Sequence, residues 1–290
     1  MIPTMNIIAW GNVAPWADQR QIEQDLIISR ALVELFSHPD LSRQLRFRGG
    51  TALNKLHFPA PLRYSEDIDL VRTEAGPIGP VLDGIREVLE PWLGRANFAQ
   101  SQISPKLRFR VDAEDAASTA PIRLKVEINT REIEAFDPPV TMPYTVENPW
   151  FSGSVDIPTF SPEEMLATKL RALLQRSKGR DLFDIDYALR IFENLNTERV
   201  VECLSLYLAA SDIRISRAEA QERMFAKLAN PAFLTDMKPL LPPDRAEELT
   251  EEATRAAFKR VFVELVALMP GEPWVRTPDM IERFDLQGME

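Results

Sequence analysis

The sequence contains a single cysteine, Cys203, and only two histidines, His38 and His57, among its 290 residues. One cysteine excludes a disulfide within the chain and any cysteine-rich zinc site. Two histidines leave little scope for a histidine-based metal cluster. We therefore interpret Cys203 as a small core residue and both histidines as capping or packing residues.

Long apolar runs are also missing. No stretch reaches the roughly 20 apolar residues that a membrane-spanning helix needs. The first residues, MIPTMNIIAWGNVAPW, lack the basic segment and the long apolar core of a secretion signal. The sequence therefore predicts a cytoplasmic protein that does not bind to a membrane.

The chain has no excess of positive charge either. Its formal net charge is −10, which argues against a general, sequence-blind nucleic-acid coat. A local basic patch can nevertheless hold RNA, and basic residues surround the central motif: Arg43, Arg46, Arg48, Lys55 and Arg63. A solvated surface and a functional cluster both fit these residues.

What the chain does contain is a polar motif between Phe47 and Val71. Gly49, Gly50 and Thr51 precede a short helical pattern, and glycines at such a place let backbone N–H groups and a hydroxyl approach a phosphate. Asp67 and Asp69 are two residues apart, so on a strand they share one face. Clustered carboxylates suit Mg²⁺. The motif therefore predicts a nucleotide site.

Two patterns give this chain a family resemblance. Gly-Gly-Thr-Ala-Leu from Gly49, followed by Arg63, Ser65, Asp67 and Asp69 at alternate positions, resembles the polymerase β-like nucleotidyltransferases. More narrowly, it is similar to the AbiEii/AbiGii toxin family, which includes the MenT toxins. The sequences ATKL, which contains Lys169, and KGRD, which ends at Asp181, resemble the second signature of the same family.

The resemblance implies a magnesium-dependent enzyme that moves a nucleoside monophosphate from an NTP to an acceptor hydroxyl. Asp67, Asp69 and Glu127, a third acid on the alternating strand 122–129, would hold two Mg²⁺ ions. Several further residues would contact the triphosphate: Gly49, Gly50 and Thr51 at the β- and γ-phosphates, and Arg63, Ser65 and Lys169 at the leaving group. Asp181 would orient Lys169, contact the acceptor or act as a base.

The resemblance also implies biological partners. It predicts a toxin of a toxin–antitoxin or phage-defence system, with a cognate antitoxin and with RNA, in particular the 3′ end of tRNA, as the acceptor. Two alternatives stay open at this point. The acceptor could be a protein hydroxyl, such as one on the antitoxin, or the protein could be a toxin that binds nucleotides without catalysis.

The predicted fold is α+β. Residues 1–158 are expected to form a nucleotidyltransferase-like mixed sheet flanked by helices, and residues 159–290 a helical domain. The proline-dense segment 138–158 predicts a strand-and-loop connector. A helix is expected over 243–269, and Asp184 and Asp186 are interpreted as solvated residues.

Overall fold

A computed structural model describes residues 2–101, 103–114, 121–286 and 288–289. The seven strands of the described chain are β1 (Leu45–Arg48), β2 (Asp67–Arg72), β3 (Asn97–Ala99), β4 (Lys106–Val111), β5 (Ile122–Asn129), β6 (Val140–Asn148) and β7 (Phe151–Thr159). Contacts divide the chain into two compact units, one up to Ser161 together with Leu240–Pro242, and one of Pro162–Pro239 with the chain from Pro243 onward.

The helices of the first unit are α1 (Thr4–Trp10), α2 (Gln19–Ser37), α3 (Pro39–Gln44), α4 (Gly49–Ala52), which continues as a π-helical turn over Leu53–His57, and α5 (Gly79–Leu93). Those of the second unit are α6 (Pro162–Gln175), α7 (Gly179–Ile191), α8 (Thr197–Ala210), α9 (Arg217–Leu228), α10 (Pro231–Thr235), α11 (Pro243–Glu248), α12 (Glu251–Glu264) and α13 (Thr277–Arg283). None of the described helices combines the length and apolar character needed to cross a membrane.

The main sheet of the first unit has five strands in the order β1-β2-β5-β4-β3. The β2–β5 pair is parallel and the other pairs are antiparallel. Alternation along the strands explains the layers, because Leu107 and Phe109 of β4 and every second residue of β5, including Leu124 and Val126, are apolar and buried. Helices α2 and α5 pack against this sheet. The α+β fold class with a mixed sheet is confirmed.

Local signals account for several boundaries. The Asp18 side chain accepts a hydrogen bond from the Arg20 N–H, at 2.9 Å, and begins α2. His38 Nδ1 accepts from the Leu41 N–H, at 3.4 Å, and caps α3. Burial lowers the pKa of His57 to about 4, so this residue packs as a neutral side chain. Cys203 is fully buried. These placements confirm the interpretation of all three residues.

The proline-dense connector is more regular than the sequence predicts. Strands β6 and β7 form a long antiparallel hairpin with a register from Val140 opposite Thr159 to Asn148 opposite Phe151. Pro143 and Pro158 lie within these strands. Each strand of a two-stranded sheet has a free edge, and a proline whose nitrogen faces that edge removes no ladder hydrogen bond.

The second unit is helical, as predicted, with one difference in its last helices. The expected helix over 243–269 is wrong, because α11 ends at Glu248 and α12 begins after Thr250. The Thr250 hydroxyl accepts a hydrogen bond from the Ala253 N–H, at 3.1 Å, and this cap starts a new helix. The rings of Phe225, Phe258 and Phe262 pack together within this unit.

Candidate functional site

The predicted acids lie on one face of the main sheet. On β2, Asp67 and Asp69 alternate with Ile68 and Leu70, which are buried. The parallel register places Asp69 opposite Glu127 of β5. Paired residues of neighbouring strands project from the same face, so the structure brings the three carboxylates to one surface.

A lysine that sequence reasoning missed lies among these acids. Lys125 is opposite Asp67 in the register, and its Nζ is 2.9 Å from Asp67 Oδ2 and 3.1 Å from Glu127 Oε2. Lys106 Nζ lies 3.4 Å from the same Glu127 oxygen. The signal was present in the sequence, because Lys125 and Glu127 are two residues apart on one strand and therefore share a face.

The acids differ in their titration. Burial raises the pKa of Asp69, and the neighbouring charge of Asp67 raises it further. For Glu127, burial acts in the same direction, but a hydrogen bond from Ser104 and the ammonium of Lys125 outweigh it, so the pKa of Glu127 is lowered. Asp69 is therefore harder to ionise than an ordinary aspartate, whereas Lys125 stabilises the negative charge of Glu127.

The backbone at Gly49 approaches this cluster closely. Gly49 has a φ of +87°, and a Cβ added there would lie 2.4 Å from Asp69 Oδ2. Both the conformation and the space therefore require glycine at this position. Gly50 follows in α4, and its carbonyl accepts a hydrogen bond from Asn54 Nδ2, at 2.9 Å.

The hydroxyl residues of the motif hold the start of β2. Thr51 is 1% exposed and its Oγ1 donates to the Asp67 carbonyl oxygen. Ser65 Oγ lies 2.8 Å from Thr51 Oγ1. Arg63 is also buried, and its Nη1 donates to the Tyr64 carbonyl, at 3.0 Å. These contacts give Thr51 and Ser65 a supporting role, while direct contact of Thr51, Ser65 and Arg63 with a phosphate stays a prediction.

The donor chemistry of the acid cluster fits a hard divalent cation, because Asp67, Asp69 and Glu127 offer oxygen ligands of the kind Mg²⁺ takes. The ammonium of Lys125 between Asp67 and Glu127 shows that this place attracts positive charge. Within the described residues, no group of three or more His, Cys, Asp or Glu side chains is arranged to hold a metal ion. Lys125 Nζ contacts both Asp67 and Glu127, so a metal ion bound by these two carboxylates would take the place of those ion pairs.

Lys169 and Asp181 meet in the second unit. Lys169 Nζ is 3.3 Å from Asp181 Oδ1 and 2.7 Å from Asp184 Oδ2. Arg176 donates two hydrogen bonds to Asp181, at 2.8 and 2.9 Å. Burial raises the pKa of Asp181, but Lys169 and Arg176 outweigh it and lower this pKa to about 2. Lys169, Asp181 and Asp184 form a buried ion-pair network, which the half-exposed side chain of Arg176 joins from the surface.

The interpretation of Asp184 and Asp186 as solvated residues is wrong. Asp184 is 0% exposed and Asp186 is 4% exposed. Asp184 pairs with Lys169, and Asp186 accepts hydrogen bonds from Arg190 and Arg260. Two of the cations come from other helices, Lys169 from α6 and Arg260 from α12, so the sequence of α7 alone does not reveal these pairs.

Asp69→Asn is expected to raise the melting temperature at neutral pH. The folded-state pKa of Asp69 is raised, so ionised Asp69 destabilises the folded state above its unfolded-state pKa, and the effect disappears in acid. Differential scanning calorimetry should therefore show a more stable variant at pH 7 and a converging pair of curves as the pH falls. A variant that melts at a lower temperature than wild type at pH 7 would contradict the inference that ionised Asp69 destabilises the folded state.

Comparison with known proteins decides the family. The model of the nucleotidyl transferase AbiEii toxin family, of type IV toxin–antitoxin systems, matches residues 30–262. This chain belongs to that family. It is therefore a nucleotidyltransferase toxin, and the family implies an NTP substrate and an antitoxin partner. The suspected AbiEii resemblance is confirmed.

A solved structure shows that this AbiEii-family chain shares its fold with another protein. MenT4, a nucleotidyltransferase toxin from Mycobacterium tuberculosis H37Rv, is 16% identical, with a TM-score of 0.64 and 99% of each chain covered. JHP933 from Helicobacter pylori is 18% identical, with a TM-score of 0.48, over 85% of this chain and 94% of its own. No curated protein sequence matches the chain.

Proposed function

We propose that this AbiEii-family enzyme transfers a nucleoside monophosphate from an NTP to a hydroxyl of RNA, at the 3′ end of tRNA, in the cytoplasm and with Mg²⁺. The observation that carries the proposal is the row formed by Asp69 and Glu127, with Asp67 beside it, on one face of the mixed sheet. Three carboxylates placed together in a nucleotidyltransferase suit a site for metal-bound triphosphate.

The proposed reaction is a single displacement at the α-phosphorus. The acceptor hydroxyl oxygen forms a bond to that phosphorus and loses its proton, while the bond to the bridging oxygen breaks and pyrophosphate leaves. Mg²⁺ held by Asp67, Asp69 and Glu127, as a pair of ions, would neutralise the triphosphate and make the acceptor hydroxyl more acidic.

The chain's own residues have distinct tasks in this proposal. Gly49 brings backbone close to Asp69 without a side chain between them, which supports a phosphate seat at Gly49 and Gly50. Thr51 and Ser65 keep Asp67 in place through the hydrogen bonds at the start of β2.

The remaining residues would add positive charge. Arg63 and Lys169 would neutralise the leaving group. Asp181 contacts Lys169 directly, which supports an orienting role. These assignments rest on the family pattern, together with the ion pairs described above.

The test is incubation of the protein with each of the four α-³²P-labelled NTPs, Mg²⁺ and total RNA, followed by gel separation of RNA and protein. Wild type should label RNA in the size range of tRNA, and digestion should place the label at the 3′ end. Asp67→Asn is the negative control. Label found in protein and not in RNA would show that the acceptor is a protein hydroxyl. Equal labelling by wild type and Asp67→Asn would refute the proposed site.

A further inference from the structure

Basic side chains line the part of the sheet beside the acid cluster. On β4, Arg108 and Arg110 alternate with the buried residues Leu107 and Phe109 and are exposed. Arg123 of β5 is exposed as well. We call Arg108, Arg110 and Arg123 the basic strip. Its residues project from the same sheet face as Glu127, because all occupy the outward positions of the alternation.

The register places like charges directly opposite each other. Arg110 is paired with Arg123, and Arg108 is paired with Lys125. Like charges opposite each other on antiparallel strands are destabilising. Within the part of the chain that the structure describes, the three arginines of the basic strip form no ion pair with a carboxylate. The folded protein therefore carries a local repulsion that an anionic partner would relieve.

The charge of this face contrasts with that of the whole molecule. The basic strip contributes three positive charges next to the site in a chain with a net charge of −10. Arg108 and Arg110 occupy alternate positions of β4, about 7 Å apart, and Arg123 lies opposite Arg110 on β5. Arginine presents a planar fork of donors that matches phosphate oxygens. A regularly charged, phosphate-bearing polymer fits this arrangement.

We infer that the basic strip binds the phosphodiester backbone of the RNA acceptor and leads its end to the acids. The inference rests on the proposed transfer to RNA and adds the surface that holds this substrate. Continuity supports it, since Arg108 is opposite Lys125, and Lys125 contacts both Asp67 and Glu127. The strip thus runs directly into the acid cluster.

The experiment compares the full chain with two triple variants of equal charge. Arg108→Ala/Arg110→Ala/Arg123→Ala removes the basic strip. The matched control, Arg86→Ala/Arg95→Ala/Arg214→Ala, removes three cations from α5, the segment after α5 and the segment before α9. Fluorescence anisotropy would measure binding of labelled tRNA over a range of salt concentrations, and labelled poly-glutamate would serve as the acidic polypeptide probe. Binding of a labelled NTP reports on the fold of the nucleotide site.

The strip variant should bind tRNA at least tenfold more weakly than wild type. Its slope of log K against log salt should be smaller by about two, from roughly 0.7 for each lost contact with single-stranded backbone. The control variant should stay within about twofold of wild type, and NTP binding should be retained in both. The strip variant should label RNA with a higher KM for RNA and an unchanged kcat.

The outcomes separate this inference from the proposed function. A wild type that transfers label to RNA, while the strip variant binds tRNA as the control does, overturns the inference and leaves the function standing. A wild type that labels no RNA refutes the function itself. Preferential binding of poly-glutamate through the strip would overturn the inference in favour of an acidic protein partner.

Discussion

Asp67→Asn is expected to lower the rate of nucleotidyl transfer by about 10³-fold or more. The substitution removes one of the carboxylates that face the proposed triphosphate and leaves its neighbour Lys125 with Glu127 alone. Charge stabilisation of several kcal/mol at such a site corresponds to about three factors of ten in rate. Steady-state and single-turnover transfer of labelled nucleotide to RNA would measure the loss.

Glu66→Gln is the matched control for this variant. Glu66 is the preceding residue, it is exposed, and its replacement changes the net charge by the same amount. Activity close to wild type in Glu66→Gln, with a similar melting temperature for both variants, would assign the loss to the Asp67 carboxylate. A tenfold or smaller loss in Asp67→Asn would place the reaction elsewhere.

Asp181→Asn is expected to destabilise the protein by about 3 kcal/mol, at the lower end of the range for breaking a buried ion pair. Asp181 is fully buried and bonds to Lys169 and Arg176. The loss of stability is expected at the lower end of that range for two reasons. Lys169 keeps its ion pair with Asp184, and the Arg176 side chain is 49% exposed, so that water can hydrate it. The melting temperature should fall by about 6–12 °C.

The pH dependence of this difference follows from the lowered pKa. The contribution of Asp181 is present above its unfolded pKa, near 3.9, and is lost as the pH falls through about 2. The gap between wild type and Asp181→Asn should therefore close in strong acid. Glu202→Gln provides the control, because Glu202 forms an exposed pair with Arg199, and such pairs contribute little. Full stability with lost activity in Asp181→Asn would instead give Asp181 a purely functional role.

Much of the fold follows from local patterns. Apolar and polar residues alternate along β4 and β5, and Asp18 is of a residue type favoured at the start of a helix, so these elements can be predicted from the sequence. The hairpin of β6 and β7 is harder to predict from the sequence. Pro143 and Pro158 suggest that a strand is interrupted, unless both strands are known to lie at the edge of a sheet. The break before α12 depends on one capping threonine within an otherwise helical pattern.

The candidate site was predictable as a set of residue types and less so as a set of contacts. The spacing of Asp67 and Asp69 indicates a shared face, whereas the pairing of Asp69 with Glu127 depends on a register between strands far apart in the sequence. The place of Lys125 between two acids has the same non-local origin. The burial of Asp184 likewise depends on Lys169, which lies on another helix.

The short segment Leu240–Pro242 has a consequence for how this protein can change over evolution. It belongs to the first compact unit although the residues on both sides belong to the second, and the Leu240 carbonyl accepts a hydrogen bond from the Tyr64 N–H, at 2.7 Å. Neither unit is thus encoded by one uninterrupted stretch of gene. A single recombination crossover between them cannot exchange one half intact, so the two halves are expected to be inherited together.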